Sequence, residues 1–342
     1  MHARHDVPLA PLTTLRVGGP AKSLMTVYDE GEVVEALRVA QAPVLVLGGG
    51  SNVVISDGGF PGTVVRIASQ GRAAERDGAD VLLDVAAGED WNGLVESCVA
   101  DGLTGIECLA GIPGLVGATP VQNVGAYGQD VSQTITAVRA YDRLLDEIVT
   151  VTDCGFAYRW SRFKAEPERW VVLSVQYRLS YDVQSRPVRY AELARVLGID
   201  VGRQAPVAEV QAAVLSLRKA KGMVLDEDDP DTRSVGSFFT NPLLDAGRVA
   251  ELRSLGGDPP SYPEPDGRVK VSAAWLIEQA GFGKGSFDGP AGISTKHTLA
   301  LVNRGGARAE DVLRVARAIR AGVRQRFGVE LVPEPVLVGI SL

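Results

Sequence analysis

Apolar and polar positions along the chain switch between a two-residue and a 3.6-residue period, and each switch marks an element. Ser23–Tyr28 reads as a strand. After Asp29, a residue type suited to helix capping, Val33, Val34, Leu37 and Ala40 recur on one helical face. Val44–Leu47 is a short apolar run, the length of a strand buried on both faces, and Val53-Val54-Ile55 is a second, β-branched run. Val81–Ala86 reads as a strand. Trp91, Leu94, Val95, Cys98 and Val99 then fall at helical spacing and specify an amphipathic helix ending near Gly102.

Strands are expected at Thr134–Asp142, Glu147–Val151 and Trp170–Leu179, with Thr152-Asp153 capping a helix after the second. Helices follow at Tyr190–Leu197 and Pro206–Ala220. The acidic connection Met223–Ser234 carries a domain boundary at its start. Beyond it come helices at Asp245–Leu255 and Ser272–Ala280 and a strand at Thr298–Val302. A long helix from Ala309 to Phe327 turns Val312, Ala316, Ile319, Val323 and Phe327 inward. Two β-like runs, Val329–Val332 and Val336–Ile340, flank Pro333-Glu334-Pro335 at the end. The pattern is that of an α+β protein without internal repeats.

Two glycine-rich stretches interrupt these elements. Gly48-Gly49-Gly50 with Ser51 and Asn52 lies between two strands, so successive backbone N–H groups can turn inward and form an anion nest suited to a phosphate or diphosphate. It is not a dinucleotide-fold turn: the third glycine of that fingerprint would be Val53, and no helix follows. A flexible hairpin tip is the alternative on these residues alone. Residues 105–128 form the second stretch, apolar between its glycines rather than linker-like, which suits backbone packed against a flat ligand with Gln122 and Asn123 donating hydrogen bonds. A buried structural loop is the alternative there.

Composition narrows the chemistry. The chain has 342 residues, enough for two or three domains, and a net charge of −7, which argues against a nucleic-acid surface. Three cysteines, Cys98, Cys108 and Cys154, lack metal spacing and suit buried thiols in a reducing compartment. Two of the three histidines sit in the N-terminal MHARH, so neither a metal cluster nor a Ser-His-Asp triad is expected. No signal-peptide core or 18-residue apolar run exists, so no membrane association is expected and the location is expected to be cytoplasmic.

Five motifs occur in one order: GGGSN after a strand, the IPG…VQNVGAYG stretch at 112–128, YRWSRFK at 158–164, GSFFTNP at 236–242 and STKH at 294–297. Over nearly the whole chain, from about Leu12 to about Gly339, this order resembles the UDP-N-acetylenolpyruvoylglucosamine reductase family. The segment Arg186–Leu197 further resembles the subclass with an extra, tyrosine-bearing substrate loop.

The resemblance implies a fold: an FAD-binding region of the vanillyl-alcohol-oxidase (PCMH) type in two subdomains, residues 1–66 and 67–222, with residues 328–342 returning to the first. A C-terminal α+β substrate domain would span 223–327. It implies non-covalent FAD, with Gly48, Gly49, Gly50, Ser51 and Asn52 at its diphosphate and Ile112, Pro113, Gly117, Gln122, Asn123 and Gly125 along the flavin. NADPH is the implied co-substrate and UDP-N-acetylglucosamine enolpyruvate the implied substrate; no obligate protein partner is evident. Arg159 matches the family's arginine for the substrate carboxylate, Ser237 its proton donor and Glu334 the acid that works with the arginine. Tyr190 and Asn241 match substrate-contacting positions.

Departures are local. Thr240 stands where the family often has lysine, and Glu334-Pro335-Val336 replaces its usual ending. Lys219 and Lys221 are assigned no more than a solvated helix face. Two other functions stay open on the sequence: a related PCMH-type FAD oxidase that uses oxygen, and a non-catalytic UDP-sugar-binding regulator.

Overall fold

The computed structural model describes residues 2–255, 257–264 and 266–342 and separates into two compact units. One comprises Met1–Val7, Ala21–Gly49 and Pro61–Val224; the other comprises Pro8–Pro20, Gly50–Phe60 and Leu225–Leu342. The sequence suggested three parts. The C-terminal strand Val336–Val338 pairs in parallel with Val53–Ile55, and both strands lie in the second unit.

In the first unit a four-stranded sheet runs in the order Ala3–Pro8, Pro20–Val27, Phe60–Ile67, Val44–Leu47. The helix Glu30–Val39 follows its second strand and starts where Asp29 accepts the N–H of Glu32 at 2.8 Å. A larger, antiparallel sheet runs Glu147–Val151, Ile135–Asp142, Trp170–Tyr181, Asp80–Ala86, Arg72–Asp77. Its central strand alternates side chains between faces, and Val171, Leu173, Val175, Tyr177 and Leu179 are buried. Against it packs the helix Trp91–Ala100, whose Trp91, Leu94, Val95, Cys98 and Val99 are all buried, as their spacing required. Each such side chain contributes about 1.5–3 kcal/mol on full burial, so this stripe fixes the helix in place.

The second unit is built around the helix Ala309–Phe327, which buries Val312, Ala316, Ile319, Val323 and Phe327 and ends on Gly328 in the left-handed conformation. Asp57 accepts the N–H groups of Ala309 and Glu310 at its N-terminus, at 2.8 and 3.2 Å. A short hairpin, Ala291–Ile293 with Leu301–Asn303, and a three-stranded sheet of Leu243–Leu244, Val269–Val271 and Ser261–Pro263 complete this unit with the helices Ala246–Ser254 and Ala273–Gln279.

Several expectations change. Val44–Leu47 is an edge strand with Val44, Leu45 and Val46 half-buried, rather than one buried on both faces. Thr152-Asp153 caps no helix: Asp153 accepts Gly155 N–H in a local turn, and the short helix Arg162–Ala165 is capped by Ser161. Val329–Val332 is not a strand: Val329 and Leu331 alternate into the core as a strand's side chains would, but beside it the chain forms an isolated bridge, Phe239 with Pro333, rather than a ladder. The strand expected at Thr298–Val302 starts later, at Leu301, because residues 294–298 form a turn on Ser294.

Candidate active site

In the first unit, the loop carrying Ile112, Pro113 and Gly117 is pinned to the start of the Trp91–Ala100 helix. Trp91 N–H donates to Gly114 O at 3.1 Å, Val116 N–H to Glu89 O at 2.9 Å, and Gly117 N–H to Ala87 O at 2.9 Å. The end of the Val44–Leu47 strand lies directly on this loop. A Cβ on Gly49 would sit 2.9 Å from the Gly114 Cα, closer than side-chain carbons approach backbone. Gly50 has φ +63°, and a Cβ there would fall 2.0 Å from Leu12 O in the second unit. Gly49 and Gly50 are therefore each required by a close backbone neighbour. Among the described residues, the backbone N–H groups of Gly49, Gly50 and Ser51 find no acceptor.

Arg159 occupies the left-handed region at φ +53°, a costly conformation for a non-glycine residue. It sits in a tight turn in which Ala157 and Trp160 exchange backbone hydrogen bonds of 3.0 and 3.1 Å. Its guanidinium donates to Asn123 O at 3.3 Å and Gly125 O at 2.8 Å, and lies 5.7 Å from the Tyr158 ring centroid. Asn123 and Tyr127 also have positive φ, +46° and +49°, so backbone strain gathers where these segments meet. The Asn123 side chain is buried and committed to the protein: its amide nitrogen donates to Ala157 O at 3.1 Å and its oxygen accepts Ser132 N–H at 3.1 Å. Gln122 is half-buried beside it.

In the second unit, the motif at 236–242 runs antiparallel to 332–334. Ser237 bridges Ala300, and Phe239 bridges Pro333. Phe238 N–H donates to Leu299 O at 2.8 Å, Glu334 N–H to Phe238 O at 2.9 Å, and Thr240 N–H to Val332 O at 3.0 Å. Buried Phe238 and Phe239, edge to face at 5.2 Å, anchor the motif on the core and leave Ser237 half-buried. Asn52 joins the same framework, its side-chain amide donating to Glu334 O at 3.4 Å and its carbonyl accepting Val336 N–H at 3.0 Å. Asn241 spends its side-chain oxygen on Ala273 N–H at 2.9 Å, at the start of a helix. Ser237, Glu334 and Asn52 are thus brought together; Arg159 belongs to the first unit.

Comparison with known proteins follows these features. Residues 21–151 match the family described as "FAD binding domain", and residues 228–338 match "UDP-N-acetylenolpyruvoylglucosamine reductase, C-terminal domain". The UDP-N-acetylenolpyruvoylglucosamine reductase of Thermobifida fusca is 54% identical over 350 residues, covering 98% of each chain. That of Streptomyces avermitilis is 56% identical over 351 residues, covering 99% of this chain and 95% of the relative. The chain belongs to the UDP-N-acetylenolpyruvoylglucosamine reductase family. The crystal structure of the Thermus caldophilus reductase superposes with a TM-score of 0.67 at 27% identity, covering 98% of each chain.

As a member of this reductase family, the chain combines an FAD-binding region of the PCMH type with a C-terminal α+β domain. The residues present fit the cofactor. A diphosphate needs convergent donors and close approach of backbone, and Gly49, Gly50 and Ser51 offer N–H groups without acceptors among the described residues, with no room for a Cβ at Gly49 or Gly50. Among the described residues no cluster of His, Cys, Asp and Glu is arranged to hold a metal, and no helix is long and apolar enough to cross a membrane.

The structure also sets Tyr190 among groups left without a functional role by the sequence. The Tyr127 ring meets the Tyr190 ring edge to face, with centroids 5.3 Å apart and planes at 84°. Lys221, expected on a solvated helix face, lies 5.6 Å from the Tyr127 centroid and pairs with Glu192 at 2.6 Å. Burial pushes the Tyr127 hydroxyl up to about 12. Arg218 donates to Gly111 O at 3.3 Å and Met223 O at 2.8 Å, and burial lowers its guanidinium to about 10. Helical spacing had put Arg218 and Lys221 one turn apart, which was the available signal; the aromatic partner was not visible from it.

Proposed function

We propose that this chain reduces UDP-N-acetylglucosamine enolpyruvate to UDP-N-acetylmuramate in peptidoglycan precursor synthesis, with NADPH as reductant. The carrying observation is the hydrogen-bonded framework of the second unit that brings Ser237, Glu334 and Asn52 together from three distant parts of the sequence. When bound, FAD supplies the two-electron chemistry that moves a hydride from NADPH to the terminal vinyl carbon of the substrate. Gly48, Gly49, Gly50, Ser51 and Asn52 hold its diphosphate; Ile112, Pro113, Gly117, Gln122, Asn123 and Gly125 line its ring system. Asn123 serves there through its backbone and through its support of the Arg159 turn, since its side chain is already engaged.

Hydride addition at the vinyl carbon leaves an electron pair on the adjacent α-carbon, delocalised into the carboxylate. Arg159 binds that carboxylate, its planar fork matching two oxygens. A rigid turn and two backbone carbonyls hold the guanidinium in place, which keeps the reorganisation on charge build-up small. Ser237 gives its hydroxyl proton to the α-carbon, completing the saturated lactyl ether. Glu334 works with the arginine in polarising the carboxylate, and its backbone tie to Phe238 sets its distance from the serine.

Tyr190 and Asn241 contact the substrate, and residues 186–197 form the extra substrate loop of one subclass. The first unit carries the FAD-binding subdomains, and the enzyme works in the cytoplasm without an obligate protein partner. Anaerobic stopped-flow absorbance of the FAD-loaded protein tests the reading. NADPH should bleach the flavin, and the enolpyruvyl substrate should restore its colour with formation of UDP-N-acetylmuramate. Restoration by oxygen alone, with the enolpyruvyl compound inert, would identify an oxidase; binding without either change would identify a regulator.

A further inference from the structure

Glu107 is completely buried in the first unit, and the partners of its carboxylate are neutral hydrogen-bond donors rather than a lysine or arginine side chain. Four hydrogen-bond donors take the place of a cation. One carboxylate oxygen accepts from Thr104 Oγ1 at 3.1 Å, from Gln129 Nε2 at 2.9 Å and from Arg186 N–H at 3.2 Å. The other accepts Gly105 N–H at 2.6 Å. Gln129 is fixed in turn, its side-chain oxygen accepting Cys108 N–H at 2.9 Å. A buried carboxylate without a counter-ion is expensive, and Thr104 and Gly105, the two local donors, meet only part of its accepting capacity. The local turn therefore does not explain the acid.

Its two distant donors do. Gln129 opens the strand that pairs with Gly125–Ala126, and Tyr127 stands in the intervening turn. Arg186 opens the segment that leads to Tyr190, the cap residue of the helix Ala191–Leu197. The two rings that meet edge to face at 5.3 Å are thus carried by two segments hung from one carboxylate. We propose that Glu107 is a positioning residue that sets the Tyr127–Tyr190 pair, and through it the affinity for the nucleoside-diphosphate end of the substrate. This rests on the reading of Tyr190 as a substrate contact. Glu107 itself touches only protein.

The test uses the FAD-loaded full chain. Glu107→Gln keeps the volume, but its amide cannot accept from donors on both sides, so one donor is opposed by another donor. KM for the enolpyruvyl substrate should rise about tenfold, with kcat and the rate of flavin bleaching by NADPH unchanged. In a Tyr190→Ala background the same substitution should leave KM unmoved, because the group it positions is gone. If Glu107→Gln does not fold, Gln129→Met severs the hairpin arm, with its bonds to Glu107 and to Cys108 N–H, and should give the same KM signature. Unchanged KM in folded variants, or an equal rise with and without Tyr190, overturns the proposal and leaves Glu107 a structural acid. An unmoved KM in Tyr190→Ala alone would instead overturn the substrate role of Tyr190, and the proposal with it.

Discussion

The backbone N–H of Glu334 donates to the carbonyl of Phe238 at 2.9 Å, so the candidate acid and the serine beside that phenylalanine share one peptide as their spacer. The same phenylalanine donates its own N–H to Leu299 O at 2.8 Å and is fully buried. The backbone of neither residue can shift far from the other without breaking this hydrogen bond, which gives the proposed catalytic pair a fixed spacing.

Ser237→Ala should fold, bind FAD and be reduced by NADPH at nearly the unmodified rate. Reoxidation by the enolpyruvyl substrate should fall by about 10²–10⁴-fold, the usual weight of a general acid, and Ser237→Cys should recover part of it. Anaerobic stopped-flow absorbance resolves the two half-reactions. Equal slowing of both would make the serine a support for the fold, and slowing of neither would move the proton source to Glu334.

Gly49→Val places side-chain carbon against the Gly114 Cα, 2.9 Å from the new Cβ, and that neighbour is backbone that cannot rotate away. The variant should lose about 1–3 kcal/mol of stability and show a lower ratio of flavin to protein absorbance after purification. Thermal melts and the visible spectrum measure both. A variant that melts normally and holds a full complement of FAD would remove the glycine run from the cofactor site.

Tyr190→Phe keeps the edge-to-face contact with Tyr127 and removes only a hydroxyl. Substrate binding should weaken by about 0.5–1.5 kcal/mol, more if the lost partner is charged, with FAD content unchanged. Titration with the enolpyruvyl substrate and steady-state KM report the effect. Unaltered affinity places the hydroxyl outside the substrate site.

Burial holds Cys98 protonated up to about 12 and Cys154 up to about 11, against a usual thiol value of 9.0. The folded state releases these protons later than the unfolded chain does. Their contribution to stability is therefore complete below pH about 9 and is lost as pH rises toward 11–12, by at most about 1.4 kcal/mol per pH unit for each thiol. Urea midpoints should fall between pH 8 and pH 10 more steeply in the native sequence than in a Cys98→Ala variant. Thiol reagents should label the native protein slowly at pH 8 and all three cysteines after denaturation. Fast native labelling would show that the cores open.

The sequence by itself determined what short-range physics controls. Periodicity and caps marked the helices Glu30–Val39, Trp91–Ala100 and Ala309–Phe327 because a helix closes its hydrogen bonds and presents its apolar stripe within a few residues. The ordered motifs carried the family and the candidate residues Arg159, Ser237 and Glu334. What the sequence left undecided was how each polar side chain is satisfied, since its partners lie far along the chain. Asn123 and Asn241, expected to face ligands, spend side-chain atoms on Ala157, Ser132 and Ala273. Lys221 reads as a solvated helix residue until the fold sets it beside Tyr127 and Glu192. Glu107 gave no signal, because a buried carboxylate is recognisable only once Gln129 and Arg186 have been folded onto it. Tertiary structure decided these points, because desolvation makes each buried polar group choose one set of partners, and only the assembled chain offers them.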